Sequence, residues 1–113
     1  MGIEVKLEAF EGPLDLLLHL IEKNKIDIYD IPIAEITDQY MEYVNQMKTA
    51  DLDMMSDFLL VAAQLINIKS RMLLPKAEKD NGEEIDPRED LVNRLLEYKM
   101  YKYSAELLKG RED

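Results

Sequence analysis

Asp51-Leu52-Asp53-Met54-Met55-Ser56-Asp57-Phe58-Leu59-Leu60-Val61-Ala62-Ala63-Gln64-Leu65-Ile66-Asn67-Ile68-Lys69-Ser70-Arg71-Met72-Leu73-Leu74-Pro75 decides how the chain is to be read. Wound as a helix over 51–74, it is apolar on more than one face. One seam runs Phe58, Val61, Leu65, Ile68, Met72 at heptad spacing without a polar interruption. A second runs Met55, Leu59, Ala62, Ile66, Leu73, broken only where Lys69 falls in line. At about 100° per residue the two lie roughly a quarter to a third of a turn apart. The polar arc that remains is narrow: Asp57, Gln64, Asn67 and Arg71. A surface helix of a small monomer needs one apolar stripe, so the second face requires cover. Either the chain fills both seams itself, or one of them meets a partner. At 1.5 Å per residue such a helix is about 36 Å long, and shorter helices cannot easily wrap both sides of it.

The sequence around it is helical and short. With 113 residues there is room for one domain and a tail, with a modest core. Ile3, Val5 and Leu7 alternate with Glu4, Lys6 and Glu8, which predicts a short N-terminal extended segment. Gly12-Pro13 stops it, and Asp15 falls in the first turn of a helix over 13–24, where the helix dipole favours an acid. Leu14, Leu17, Leu18 and Ile21 form its face, widened by Leu16 and Leu20. Residues 25–31 make a tight connection, and Pro32 opens a second helix, 32–48, with one stripe of Ile33, Ile36, Tyr40, Val44 and Met47. The third helix ends at Leu73-Leu74-Pro75. Residues 76–86 turn polar around Asn81-Gly82 and read as an acidic linker. Asp86-Pro87-Arg88-Glu89 signals a helix start, and the fourth helix, 87–109, carries two apolar strips: Leu91, Leu95, Tyr98, Ala105, and Val92, Leu96, Tyr103, Leu107. Gly110 ends it. The predicted fold class is all-α: a small bundle of three helices plus a fourth after a linker. That fourth helix is expected to act as a separate docking element.

Composition excludes several functions. The net charge is −10, with 13 acidic and 6 basic side chains in residues 1–75, and 11 and 8 in residues 76–113. An acidic chain repels phosphate backbones and anionic membranes, so no direct nucleic-acid or membrane partner is expected. The absence of cysteine removes disulfides and thiolate chemistry and fits a reducing compartment. Met1–Leu7 lacks the apolar core of a signal peptide. The run Phe58 to Ile68 is far short of the roughly twenty residues that span a bilayer, so the chain is expected to be soluble and intracellular.

Nothing in the sequence does covalent chemistry. His19 is the single histidine, and no convergent partners for catalysis or metal binding can be named. Asp27, Asp30, Asp51, Asp53 and Asp57 lack the spacing of a calcium loop, and capping or solvated roles suit them better. There is no glycine-rich phosphate loop and no nucleophile elbow. Lys69 and Arg71 serve equally a partner's carboxylates or their own helix's C-terminal dipole. No catalytic residue, cofactor or metal is expected.

Three segments in order carry a family resemblance: Phe10-Glu11-Gly12-Pro13-Leu14-Asp15-Leu16-Leu17-Leu18-His19-Leu20-Ile21, Ile26-Asp27-Ile28-Tyr29-Asp30-Ile31-Pro32, and Ile68-Lys69-Ser70-Arg71-Met72-Leu73-Leu74-Pro75. With the Asp-Pro-Arg-Glu helix start they resemble the N-terminal part of ScpA, the bacterial kleisin family of chromosome-condensing SMC complexes. The resemblance implies a helical domain over 1–75 that docks on the coiled-coil neck of an SMC ATPase. It further implies a linker over 76–86 and, over 87–113, the start of a segment that binds the ScpB dimer. It implies a non-enzymatic, cytoplasmic protein that is nucleoid-associated through its complex. A C-terminal winged helix, which the family carries, is not in this chain. The neck-binding candidates are then Met55, Phe58, Leu59, Val61, Ala62, Leu65, Ile66, Ile68, Lys69 and Met72. The ScpB-binding candidates are Leu91, Val92, Leu95, Leu96, Tyr98 and Tyr103. The competing reading is a free-standing helical regulator that homodimerises through 51–74. Which seam faces outward stays open.

Overall fold

A computed structural model describes residues 10–47, 51–74, 79–80 and 83–110. Four helices run α1 (Pro13–Lys23), α2 (Ile33–Asn45), α3 (Leu52–Met72) and α4 (Glu89–Lys109), and the fold is all-α as expected. Between α3 and α4, β1 (Lys79–Asp80) and β2 (Glu83–Glu84) form a minimal antiparallel ladder, Lys79 opposite Glu84 and Asp80 opposite Glu83. Part of the predicted linker therefore pairs with itself. The expected extended segment at Ile3–Leu7 lies outside the described residues.

Helix boundaries follow local chemistry. Pro13 opens α1 at its first turn, and the Asp15 carboxylate accepts the Glu11 main-chain N–H at 3.0 Å. At the other end Lys25 takes a left-handed conformation, φ 53°, and Ile26 N–H bonds back to the Ile21 carbonyl at 2.9 Å. That arrangement is a Schellman stop; Ile26 tucks against the core beside buried Ile21. The Asn24 side chain donates to the Leu20 carbonyl and exchanges hydrogen bonds with Gln39, tying the end of α1 to α2. Asp51 caps α3 by accepting from Met54 N–H at 3.1 Å. Two predicted starts shift. Pro32 sits before α2 as its cap, and α4 begins at Glu89, after a turn in which Asp86 accepts from Arg88 N–H.

α1 occupies the centre. Asp15, Leu16, Leu17, Leu18, Leu20 and Ile21 are all buried, so the helix is enclosed nearly all round. α2 and α3 pack against it and against each other through Ile33, Ile36, Tyr40, Val44, Phe58, Val61, Leu65 and Ile68. The Tyr40 hydroxyl donates to the Phe58 carbonyl, and the two rings stack 6.4 Å apart.

α4 completes the bundle, which corrects the expectation of an independent element behind a tether. Leu91 and Leu95 belong to the same core as Leu16 and Phe58. Arg88 donates to the Asp30 carboxylate and the Ile31 carbonyl, in the connection just before α2; Lys102 pairs with Asp15 at the start of α1. α4 is thus tied at its beginning to the α1–α2 connection and farther along to the start of α1. The physical reason is that a helix with two strips has an inner one to spare for the bundle.

Candidate functional site

Two apolar seams on α3 compete for the interior, and the bulkier one occupies it. Phe58, Val61, Leu65 and Ile68 are buried, Phe58 and Leu65 completely. In this conformation these four, proposed from the sequence as partner contacts, are spent on α1 and α2. Ala62 is also buried, Met55 and Lys69 are half-buried, and Lys69 lies 3.9 Å from Asp38 of α2. Of the ten neck-binding candidates, three present their side chains outward: Leu59, 48% exposed, Ile66, 49%, and Met72.

Around Leu59 and Ile66 the structure leaves an outer seam that shares Leu59, Ile66 and Leu73 with the second seam of the sequence, with Ala63 and Ser70 in place of Ala62 and Lys69. Leu59, Ala63, Ile66, Ser70 and Leu73 recur at steps of four and three along one side of α3, and all five are exposed. Leu73 is 80% exposed. Large residues alternate with small ones, so Leu59, Ile66 and Leu73 stand as knobs while Ala63 and Ser70 leave space between them. An approaching helix with the same period can interdigitate there. Leu60 and Leu74 flank the seam and are also exposed. Ala63 and Ser70 were missed because one is small and the other polar; the signal that finds them is their heptad register with Leu59, Ile66 and Leu73.

α4 shows the same division. Leu91 and Leu95 are buried, Val92, Leu96 and Tyr98 half-buried, and Tyr103 is 65% exposed. The inner strip is therefore occupied by the bundle. An outer stripe, Leu96, Met100, Tyr103 and Leu107, faces away at spacings of four, three and four, with the last three exposed. Beyond Lys102 every described residue of α4 is exposed, so its last two turns overhang the bundle.

Polar groups hold α4 in place. Arg88 Nη1 meets Asp30 Oδ1 at 2.8 Å while Arg88 Nη2 meets Asp86 Oδ2 at 2.9 Å. The hydrogen bond from Arg88 holds the Asp86 carboxyl below its ordinary range. The Tyr98 hydroxyl donates to Glu11 at 2.7 Å. Burial, then this bond and the nearby carboxylates, push its ionisation up. The hydrogen bond to Asp15 likewise raises the Lys102 ammonium. Arg94 donates to Gln64 of α3 at 2.9 Å.

The remaining candidates have structural tasks. His19 is exposed, its ring 5.3 Å from Phe10 and 6.4 Å from Tyr43. Asp27 accepts from Tyr29 N–H, Asp30 from Arg88, and Asp51 caps α3. Among the described residues no group of three His, Cys, Asp or Glu side chains is arranged to hold a metal, and no helix is long and apolar enough to cross a membrane.

Comparison with known proteins gives this surface its context. The family described as segregation and condensation protein ScpA matches residues 20–113. Segregation and condensation protein A of Bacillus licheniformis is 56% identical over 119 aligned residues, covering 100% of this chain and 47% of the relative. The proteins of the same name from Bacillus cereus and Bacillus anthracis are each 57% identical over 117 residues, covering 99% of this chain and 47% of the relative. The chain thus spans about half the length of these relatives. With a family match over more than three-quarters of its residues and identity above one half along its whole length, the chain belongs to the ScpA family of segregation and condensation proteins.

Proposed function

We propose that the chain is a non-enzymatic part of a kleisin subunit that docks on the coiled-coil neck of an SMC ATPase through the outer seam of α3. It links that ATPase to the ScpB dimer through α4, in the service of chromosome condensation and segregation. The observation that carries this reading is the heptad-spaced, exposed series Leu59, Ala63, Ile66, Ser70, Leu73 on a helix whose other seam is already buried. A coiled coil offers holes at the matching period. Covering half-exposed Leu59 and Ile66 contributes roughly 1 kcal/mol each and Leu73 about 2 kcal/mol, from the worth of burying whole aliphatic side chains. Met55 and Lys69 border the seam, while Met72, one heptad on from buried Leu65, continues the inner one. On α4 the accessible ScpB contacts are Leu96, Tyr103 and the outward edges of Val92 and Tyr98.

Family membership supports the kleisin reading over a free-standing regulator that homodimerises through α3. With a charge of −10, contact with DNA is left to the complex; the protein is cytoplasmic and reaches the nucleoid through its partners. Titrating an SMC head-and-neck fragment with the protein tests the reading: a complex should form, and Ile66→Glu should weaken it more than tenfold while leaving the fold intact. Unchanged binding by that variant would remove the outer seam from the interface. A self-associating chain that ignores the neck would favour homodimerisation.

A further inference from the structure

α4 meets the bundle in two unlike halves. Its first half is set by apolar burial of Leu91 and Leu95. From Tyr98 onward two polar contacts hold it, Tyr98 to Glu11 and Lys102 to Asp15, and both fall at the start of α1. Past Lys102 the helix has nothing beneath it among the described residues. Arg94 meanwhile reaches Gln64, which stands between Ala63 and Ile66 along the α3 sequence. One hydrogen bond, from Arg94 to Gln64 on the polar arc of α3, thus ties α4 to α3 directly, and α1, on which both lean, ties them indirectly.

The outer stripe of α4 lies roughly a third of a turn from the inner strip that α1 holds. A partner seated on Leu96, Met100, Tyr103 and Leu107 does not compete for Leu91 and Leu95. It adds order to a helix end that is otherwise free to fray, and whatever stabilises the helical second half of α4 also stabilises its seating on Asp15 and Glu11.

We propose that α4 is a clasp that couples the two docking surfaces: a partner bound on its outer stripe favours the closed clasp, and the closed clasp holds α3 in the arrangement that accepts the coiled coil. The inference rests on the functional reading given above. By linkage the effect is reciprocal, so occupancy of the α3 seam tightens the α4 stripe by the same factor. Asp15 has a defined part in it: its carboxylate, 7% exposed, is the receptor into which Lys102 closes.

The test uses the full-length protein, an SMC head-and-neck fragment and the ScpB dimer. Neck affinity measured by calorimetry should rise about fivefold or more when ScpB is present, the lower end of common coupling strengths. Amide exchange over Pro13–Lys23 should slow when ScpB is added without the neck fragment. Lys102→Glu, which sets a third carboxylate beside Asp15 and Glu11, should abolish the increment while both binary complexes persist. Lys102→Met, which keeps the aliphatic stem, should reduce it in the same direction. Both binary complexes without an increment, or a full increment in both variants, would overturn the clasp alone. Failure of either binary complex in the wild type would overturn the functional reading and the clasp with it.

Discussion

The Tyr40 hydroxyl donates a 2.6 Å hydrogen bond to the main-chain carbonyl of Phe58, with both side chains fully buried. It fixes α2 against the second turn of α3. Tyr40→Phe keeps the ring and removes the donor. The Phe58 carbonyl stays inside the α3 ladder, so a loss of about 1 kcal/mol is expected in urea unfolding. Tyr40→Ala empties the same site and should cost about 3–5 kcal/mol. Equal losses for the two variants would mean that the hydrogen bond, not the ring, positions α3.

Alkaline pH should destabilise the bundle, and the sign follows from three groups. Burial pushes the Tyr40 hydroxyl well above its ordinary value near 10, and Tyr98 and Lys102 are raised for the reasons given above. A group that holds its proton more tightly when folded contributes its full stability below the unfolded value, and loses it as pH rises toward the folded one. Thermal melting should therefore be flat through neutrality and fall above about pH 10. Tyr40→Phe should blunt that fall. The depressed Asp86 carboxyl acts at the opposite end, its contribution fading as pH drops through and below the ordinary range near 4.

Leu65 and Ile66 are neighbours in sequence with opposite fates. Leu65 is fully buried and Ile66 half exposed. Leu65→Glu places a carboxylate in the core without a partner and should destabilise the fold by more than about 3 kcal/mol, seen as loss of cooperative unfolding. Ile66→Glu should melt like the wild type and fail only in the coiled-coil titration. A folded Leu65→Glu protein that loses only neck binding would place the inner seam at the interface.

The contrast between those residues shows where sequence reading succeeds and where it stops. Helix number, helix type and most ends were legible because Gly12-Pro13, Asp51 and the polar break after Pro75 are local signals. So was the doubled apolar surface of α3. Which seam turns inward was not, because periodicity assigns residues to faces and says nothing of what each face meets. Docking of α4 was hidden for another reason. Its contacts join residues 58 and 87 positions apart, Arg88 to Asp30 and Lys102 to Asp15, across a stretch whose composition reads as a tether.

Truncation after Pro75 should damage the whole bundle. It removes Leu91 and Leu95 from the core and leaves Asp15 without Lys102. Leu95→Ala alone should cost about 2–5 kcal/mol, and the truncated chain should melt earlier and bind the neck more weakly. A truncated chain that melts and binds like the intact one would restore α4 to the status of a separate element.

Arg88 is the residue that turns the polar stretch before α4 into a fixed connection. Its guanidinium joins Asp86 and Asp30 and donates to the Ile31 carbonyl, and the two carboxylates raise its ionisation further. A lysine can carry the charge, but it cannot present several planar donors to three acceptors at once. Arg88→Lys should therefore behave more like Arg88→Ala than like the wild type. Both should speed amide exchange through the loop 24–32 and at the start of α4, while leaving the middle of α3 protected. The stability loss should be about 1.5–3 kcal/mol, the range for hydrogen bonds to charged groups. Wild-type exchange in the lysine variant would show that charge alone closes the clamp. Exchange that rises equally along α3 would show that Arg88 supports the whole core, beyond the junction of α1, α2 and α4.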